Sequence, residues 1–261
     1  MIKLSDLLSP PFRKSEKIIH LTQDDYGRIL VIDDGDHRVL NFNSLFEQSS
    51  MQLSYPYQLV HEYTQYMLLA LAFIEPKKIT LLGLGGGSLL RTLHHLLPNC
   101  NFNVVELRQA VVDVAQQYFS LPDDDRVVIS VNDALEEITQ IKNASSDIIF
   151  SDIYDAHQMV PGQLHMTFLT QCHRALSPQG WLVANLHSLP TDKEVFFEEL
   201  RSLFPTVILG TIAENIILFA AKTQPQQTNP NLERLGTIEG LLQQRLTHLI
   251  PKLRPLELQF K

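Results

Sequence analysis

The stretch Ile79-Thr80-Leu81-Leu82-Gly83-Leu84-Gly85-Gly86-Gly87-Ser88 runs from apolar residues straight into glycine, then resumes as the helical pattern Leu89, Leu90, Leu93, Leu96 and Leu97. That order reads as a buried parallel strand, a tight turn and the helix that crosses back over the sheet. Glycines at 83, 85, 86 and 87 permit positive φ and let a ligand approach the backbone without meeting a Cβ. A glycine turn also serves plain strand–helix packing, so the next unit decides. Phe102-Asn103-Val104-Val105-Glu106 reads as a second buried strand ending in an acid. It lies about 20 residues beyond the glycines, where a carboxylate accepts hydrogen bonds from ribose hydroxyls.

The same grammar repeats. Arg126 to Val131 reads as a strand ending at Asn132-Asp133, and Asp147-Ile148-Ile149-Phe150-Ser151-Asp152 as another, with helical patterns between them. Helices near 162–176 and 191–204 and strands over 181–186, 206–209 and 215–221 follow, the last two expected as an antiparallel edge. Strands alternating with helices predict a doubly wound, mostly parallel sheet. Before it, short β-rich runs broken by Asp25-Tyr26-Gly27 and Asp33-Asp34-Gly35-Asp36 predict a small antiparallel β-domain. After it, Gln224 to Pro230 is a polar linker and Leu232 to Ile250 a single helix. The expected division is 1–54 for the β-domain, 55–222 for the nucleoside-binding core, and 223–261 for the linker and last helix.

In an open α/β sheet, ligands bind at the carboxyl ends of the strands, near the point where strand order reverses. The glycine turn, Glu106, Asp133 and Asp152 all fall at such ends and are expected around one pocket. Each acid alone could be a solvated loop residue or a helix cap. For an adenosine ligand, Glu106 would hold the ribose, Asp133 would accept from the adenine amine, and N–H groups of the turn would line the ligand's tail. A dinucleotide fits less well, because Ser88 stands at the third glycine position of G-x-G-x-x-G.

Composition excludes other classes. A formal net charge of −8 disfavours nucleic acid as a partner. Cys100 and Cys172 are the two cysteines and have no metal-ligand spacing, nor do the ten histidines, including His61, His94, His95 and His187, so no metal or disulfide is expected. The sequence Met1 to Asp6 lacks a signal-peptide core and no apolar run reaches a membrane span, so a cytoplasmic protein without membrane contact is expected.

The chain resembles the spermidine synthase (polyamine aminopropyltransferase) family, and more closely a divergent spermidine-synthase-like branch, over about residues 17–222. The resemblance rests on Gly27 to Asp33, Leu82 to Arg91, Val105-Glu106, Asn132-Asp133-Ala134 and Phe150-Ser151-Asp152-Ile153-Tyr154-Asp155. It implies a Rossmann-like, methyltransferase-type core behind the β-domain, and a homodimer. It also implies a reaction: the aminopropyl group of decarboxylated S-adenosylmethionine passes to a primary amine such as putrescine, leaving methylthioadenosine. Asp152 matches the family's catalytic aspartate, Asp155 its second, amine-binding acid, and Tyr63 a tyrosine of the amine channel.

Three departures bear on that reaction. Gly86 replaces the aspartate of the family's G-G-G-D-G-G, Arg108 replaces the acid two residues after the ribose-binding glutamate, and the segment between the last two strands shrinks to Gly210-Thr211-Ile212-Ala213-Glu214. Without an acid at 86, ordinary S-adenosylmethionine would be repelled less. An S-adenosylmethionine-dependent methyltransferase and a non-catalytic nucleoside-binding protein are the alternative readings.

Overall fold

The computed structural model describes residues 16–42, 47–155, 158–212, 215–225 and 228–256. Met1 to Asp6, Ala213-Glu214 and part of the expected linker, Gln226-Gln227, lie outside them.

Strands β1 (Glu16–Asp24), β2 (Gly27–Asp34), β3 (His37–Phe42) and β4 (Glu47–Gln52) form an antiparallel sheet in sequence order. Alternation along β2 and β3 puts Ile29, Val31, Leu40 and Phe42 on one face, as a half-buried sheet requires. The fourth strand has no counterpart in the sequence reading, because Glu-Gln-Ser-Ser-Met-Gln carries a single apolar residue and so no period.

The chain then runs through α1 (Glu62–Leu68), β5 (Lys78–Leu82), α2 (Ser88–Leu96), β6 (Asn101–Glu106), α3 (Gln109–Tyr118), β7 (Val127–Val131), α4 (Ala134–Glu137) and β8 (Ser146–Ser151). It continues through α5 (Met166–Ala175), β9 (Leu176–Leu186), α6 (Lys193–Leu203), β10 (Thr206–Ile212), β11 (Asn215–Ala221), α7 (Leu232–Leu242) and β12 (Leu253–Pro255). These strands make an eight-stranded sheet in the order β12-β10-β11-β9-β8-β5-β6-β7. From β5 the chain steps outward to β6 and β7, then returns to the other side of β5 as β8. Strand order therefore reverses between β5 and β8, and a ligand cleft belongs at their carboxyl ends.

Valine, leucine and isoleucine fill β5, β6 and β8, which are covered on both faces; Leu82, Val104, Val105, Ile148 and Ile149 are fully buried. The N-terminal sheet packs its apolar face against α3, joining Ile29, Val31, Leu40 and Met51 to Val111, Val114 and Phe119. Arg38 ties the two bodies by donating to the Tyr118 carbonyl at 2.9 Å. This packing holds the small sheet over the edge where β5 and β6 end.

One expectation fails at the end of the chain and another is extended. The helix expected from Leu232 to Ile250 stops at Leu242, because Gln243 turns left-handed at φ 52°. Strands β10 and β11 pair antiparallel as expected; a 3-10 turn over Thr247–Lys252 follows α7, and the short β12 then pairs with β10 and becomes the outermost strand. Among the described residues no helix is long and apolar enough to cross a membrane.

Candidate active site

The glycine turn lies at the topological switch point because β5 and β8 approach each other too closely for a side chain. A Cβ on Gly83 would collide with the Asp152 carbonyl oxygen, and Gly83 has φ 98°. Backbone bonds carry the ladder past the strand ends: Asp152 N donates to the Leu82 carbonyl and Gly83 N to the Val105 carbonyl, each at 2.9 Å. Gly87 begins α2 at φ 69°, a left-handed conformation that excludes most side chains. Behind the turn, fully buried Arg91 donates to the Phe119 carbonyl at 2.8 Å and the Gly86 carbonyl at 3.3 Å. Burial pulls the Arg91 pKa down to about 10.

A cavity of about 660 Å³ opens here. That is the size of a small-ligand site. Gly83, Gly85, Glu106, Asp133, Asp152, Asp155 and Tyr63 all line it, so residues far apart in sequence do meet. Gly86 and Gly87 do not line it; a Cβ on them would run into Ser49 and Leu121 respectively.

Glu106 ends β6 and is 8% exposed. Its Oε2 accepts from Leu84 N and its Oε1 from Arg108 N, both at 3.1 Å. Burial raises its pKa against the lowering effect of these backbone N–H groups. Asp133 caps α4, accepting from Leu135 N at 2.7 Å, and lines the cavity as well. The cap and ligand readings of this residue therefore coexist. Asp155 accepts from Gln158 N at 2.8 Å, and both residues line the cavity.

Asp152 sits one residue past β8. Asn185 Nδ2 donates to its Oδ1 at 2.9 Å, and Tyr63 lines the cavity beside it. Burial raises the Asp152 pKa, with Asn185 and Tyr63 pulling the other way. Burial first, then the charge of Asp152, raises the Tyr63 pKa well above its usual value. The arrangement is a desolvated carboxylate held by a neutral amide donor, with a raised proton affinity suited to accepting a proton.

Arg108, which stands where the resemblance implies an acid, lines the cavity but commits its guanidinium to the β1–β2 hairpin. Its guanidinium binds Asp24 bidentately at 2.9 and 2.7 Å and the Gly27 carbonyl at 2.9 Å, with Phe42 4.7 Å away across the ring centroid. The side chain pins the β1–β2 hairpin to the end of β6, which brings Tyr26 to the cavity wall.

Sequence reading missed Asn185, Asn215, His187 and Ser49, all of which line the cavity. His187, taken as an ordinary histidine, packs edge-on against Tyr154 at 5.0 Å. Asn185 carried a usable signal, since it stands near the carboxyl end of a predicted strand as Glu106 and Asp152 do. Ser49 carried none, because only sheet packing brings β4 to the turn.

A family model described as the spermine/spermidine synthase domain matches residues 12–209. The polyamine aminopropyltransferase of Chromobacterium violaceum is 31% identical over 222 residues, 84% of each chain. The crystal structure of a probable spermidine synthase from Corynebacterium glutamicum has a TM-score of 0.74 at 24% identity over 92% of this chain and 91% of that one. A spermidine synthase in complex with the transition-state analogue AdoDATO has a TM-score of 0.70 at 19% identity, over 89% and 84% of the two chains.

Proposed function

The chain belongs to the spermine/spermidine synthase family, and from that premise we propose that it is a transferase moving an aminopropyl group from decarboxylated S-adenosylmethionine to a primary amine. The residues from 55 to 222 form the catalytic part in this reading, and those up to 54 are the β-domain that precedes it. Glu106 accepts from the ribose hydroxyls, Asp133 from the adenine amine, and the turn at Gly83 and Gly85 faces the sulfonium end of the donor. Leu107, 41% exposed although apolar, offers the base a surface beside Glu106.

Asp155 and Tyr63 hold the cationic acceptor, and Asp152 takes one of its ammonium protons. The freed nitrogen lone pair attacks the methylene beside the sulfonium. A carbon–nitrogen bond forms as the carbon–sulfur bond breaks, and its electron pair stays on sulfur as methylthioadenosine leaves.

The observation that carries this reading is the charge of the cavity wall. Glu47, Glu106, Asp133, Asp152 and Asp155 line it, whereas Arg108, also in the wall, is bound to Asp24. A dicationic donor and a cationic acceptor are favoured in such a site. A donor that keeps its α-carboxylate sets a further negative charge against Asp152 and Asp155, and the guanidinium of Arg108 is already paired with Asp24.

The test incubates the purified protein with either donor and a panel of amines. Methylthioadenosine from the decarboxylated donor is expected; S-adenosylhomocysteine from ordinary S-adenosylmethionine, as the sole product, overturns the reading. A cytoplasmic homodimer completes the proposal on the family resemblance, and sedimentation of the purified chain tests the dimer.

A further inference from the structure

Strands β11, β9 and β8 are neighbours in the sheet, and at its carboxyl edge they bring Asn215, Asn185 and Asp152 into a row. Register accounts for the row. Ser151 of β8 lies opposite Ala184 of β9, so the next residues, Asp152 and Asn185, are brought level. On the other side Asn185 pairs with Ile217, and Asn215 is that residue's same-face neighbour two positions earlier, within reach on the diagonal. The bonds run along the row: Asn215 Nδ2 donates to Asn185 Oδ1 at 2.8 Å, and Asn185 Nδ2 donates to Asp152 Oδ1 at 2.9 Å.

An amide has one donor end and one acceptor end, and only one orientation satisfies both neighbours. Reversing Asn185 would set its oxygen against a carboxylate oxygen and its NH₂ against the Asn215 NH₂, so two bonds would become two repulsive contacts. Tyr154 donates its hydroxyl to the Asn185 backbone carbonyl at 3.2 Å, which holds the main chain beneath the amide. Asn185 is 2% exposed, so water cannot replace these partners.

We infer that Asn185, aimed by Asn215, is the positioning residue that fixes the carboxylate plane of Asp152 toward the acceptor amine. The inference rests on the role given to Asp152 above. The pair does for this carboxylate what a buried carboxylate does for an active-site histidine: it restricts rotation and selects one face. The titratable groups that face Asp152 among the described residues are Tyr63 from α1, Tyr154 beyond β8 and His187 beyond β9.

The experiment compares Asn185→Asp, Asn185→Ala and Asn215→Ala with the Asn185→Ala/Asn215→Ala double variant. The readouts are kcat, donor KM, and the titration of the Asp152 carboxyl carbon by NMR in the resting protein. Asn185→Asp sets a second carboxylate against Asp152, so the Asp152 titration and the acid limb of kcat should both move up by about one pH unit or more. Asn185→Ala should lower kcat by roughly tenfold to a hundredfold with donor KM nearly unchanged. The double variant should lose no more than Asn185→Ala, because the two amides act through one bond.

Losses that add, or an Asp152 titration unmoved by Asn185→Asp, would overturn the inference. If the wild-type protein turns over neither donor, the reaction proposed above falls, and the NMR titrations still decide whether the amide row controls Asp152.

Discussion

Gly86 donates its N–H to Ser49 Oγ at 2.9 Å, and its Cα faces β4 so closely that an added Cβ would lie 2.8 Å from Ser49 Cβ. Phe119 Cδ1 would be 3.3 Å away on another side. An aspartate here, as the resemblance implies for the family, would therefore run into β4. Gly86→Asp is expected to lower the melting temperature through overpacking of about 1–3 kcal/mol, without tightening donor binding. Adding Ser49→Gly should recover part of the loss in calorimetry; equal destabilisation of the single and double variants would show that Ser49 is not the obstacle.

Asp152→Asn is expected to abolish turnover while leaving methylthioadenosine affinity nearly unchanged. It should also raise stability at neutral pH. Burial lifts the folded-state pKa of Asp152 above its ordinary value of 3.8. Stability is therefore complete below that value and declines as pH rises through the folded pKa, where a desolvated charge must form. The substitution removes that charge, so its gain in melting temperature should shrink as pH falls toward 4. A gain of the same size at every pH would contradict the assignment.

Glu106→Gln is expected to weaken methylthioadenosine binding by roughly tenfold to a hundredfold, the effect of losing a charged acceptor. Isothermal calorimetry reads this directly. Unaltered affinity would remove Glu106 from the ribose. Because Leu84 N and Arg108 N also donate to Glu106, glutamine is a milder probe than alanine, which would remove the acceptor of both bonds.

The Arg108–Asp24 pair should behave as a structural tie between the two sheets. Asp24→Ala leaves a guanidinium that is only 7% exposed without its carboxylate. The expected cost is about 2–3 kcal/mol, less than for a fully buried pair because Asp24 keeps some solvent contact. Arg108→Met should cost less, since the aliphatic side chain still packs on Phe42. Burial raises the Asp24 pKa, but its bonds to Arg108 and Tyr26 outweigh that and leave it lowered. The contribution is therefore present above 3.8 and lost as pH falls through the folded value. Urea titrations of both variants at pH 7 and pH 3 check the order and the sign.

The alternation of apolar runs with helical patterns, together with the glycine turn, was enough to read the doubly wound sheet and the edge on which Glu106, Asp133 and Asp152 meet. Local sequence fixes both, since strand period and chain reversal depend on neighbouring residues. The tail was misread because Leu235, Ile238, Leu242, Leu246 and Leu249 are all buried, and apolar content alone does not reveal that Gln243 breaks the helix between them.

What sequence decided is which residues stand at strand ends, because a two-residue period and a glycine stop are written locally. What tertiary structure decided is which of them touch. Ser49 against Gly86, Asp24 against Arg108 and the row Asn215–Asn185–Asp152 each join segments whose pairing depends on sheet order and on how one sheet packs over another. No periodicity within a segment encodes such contacts between segments.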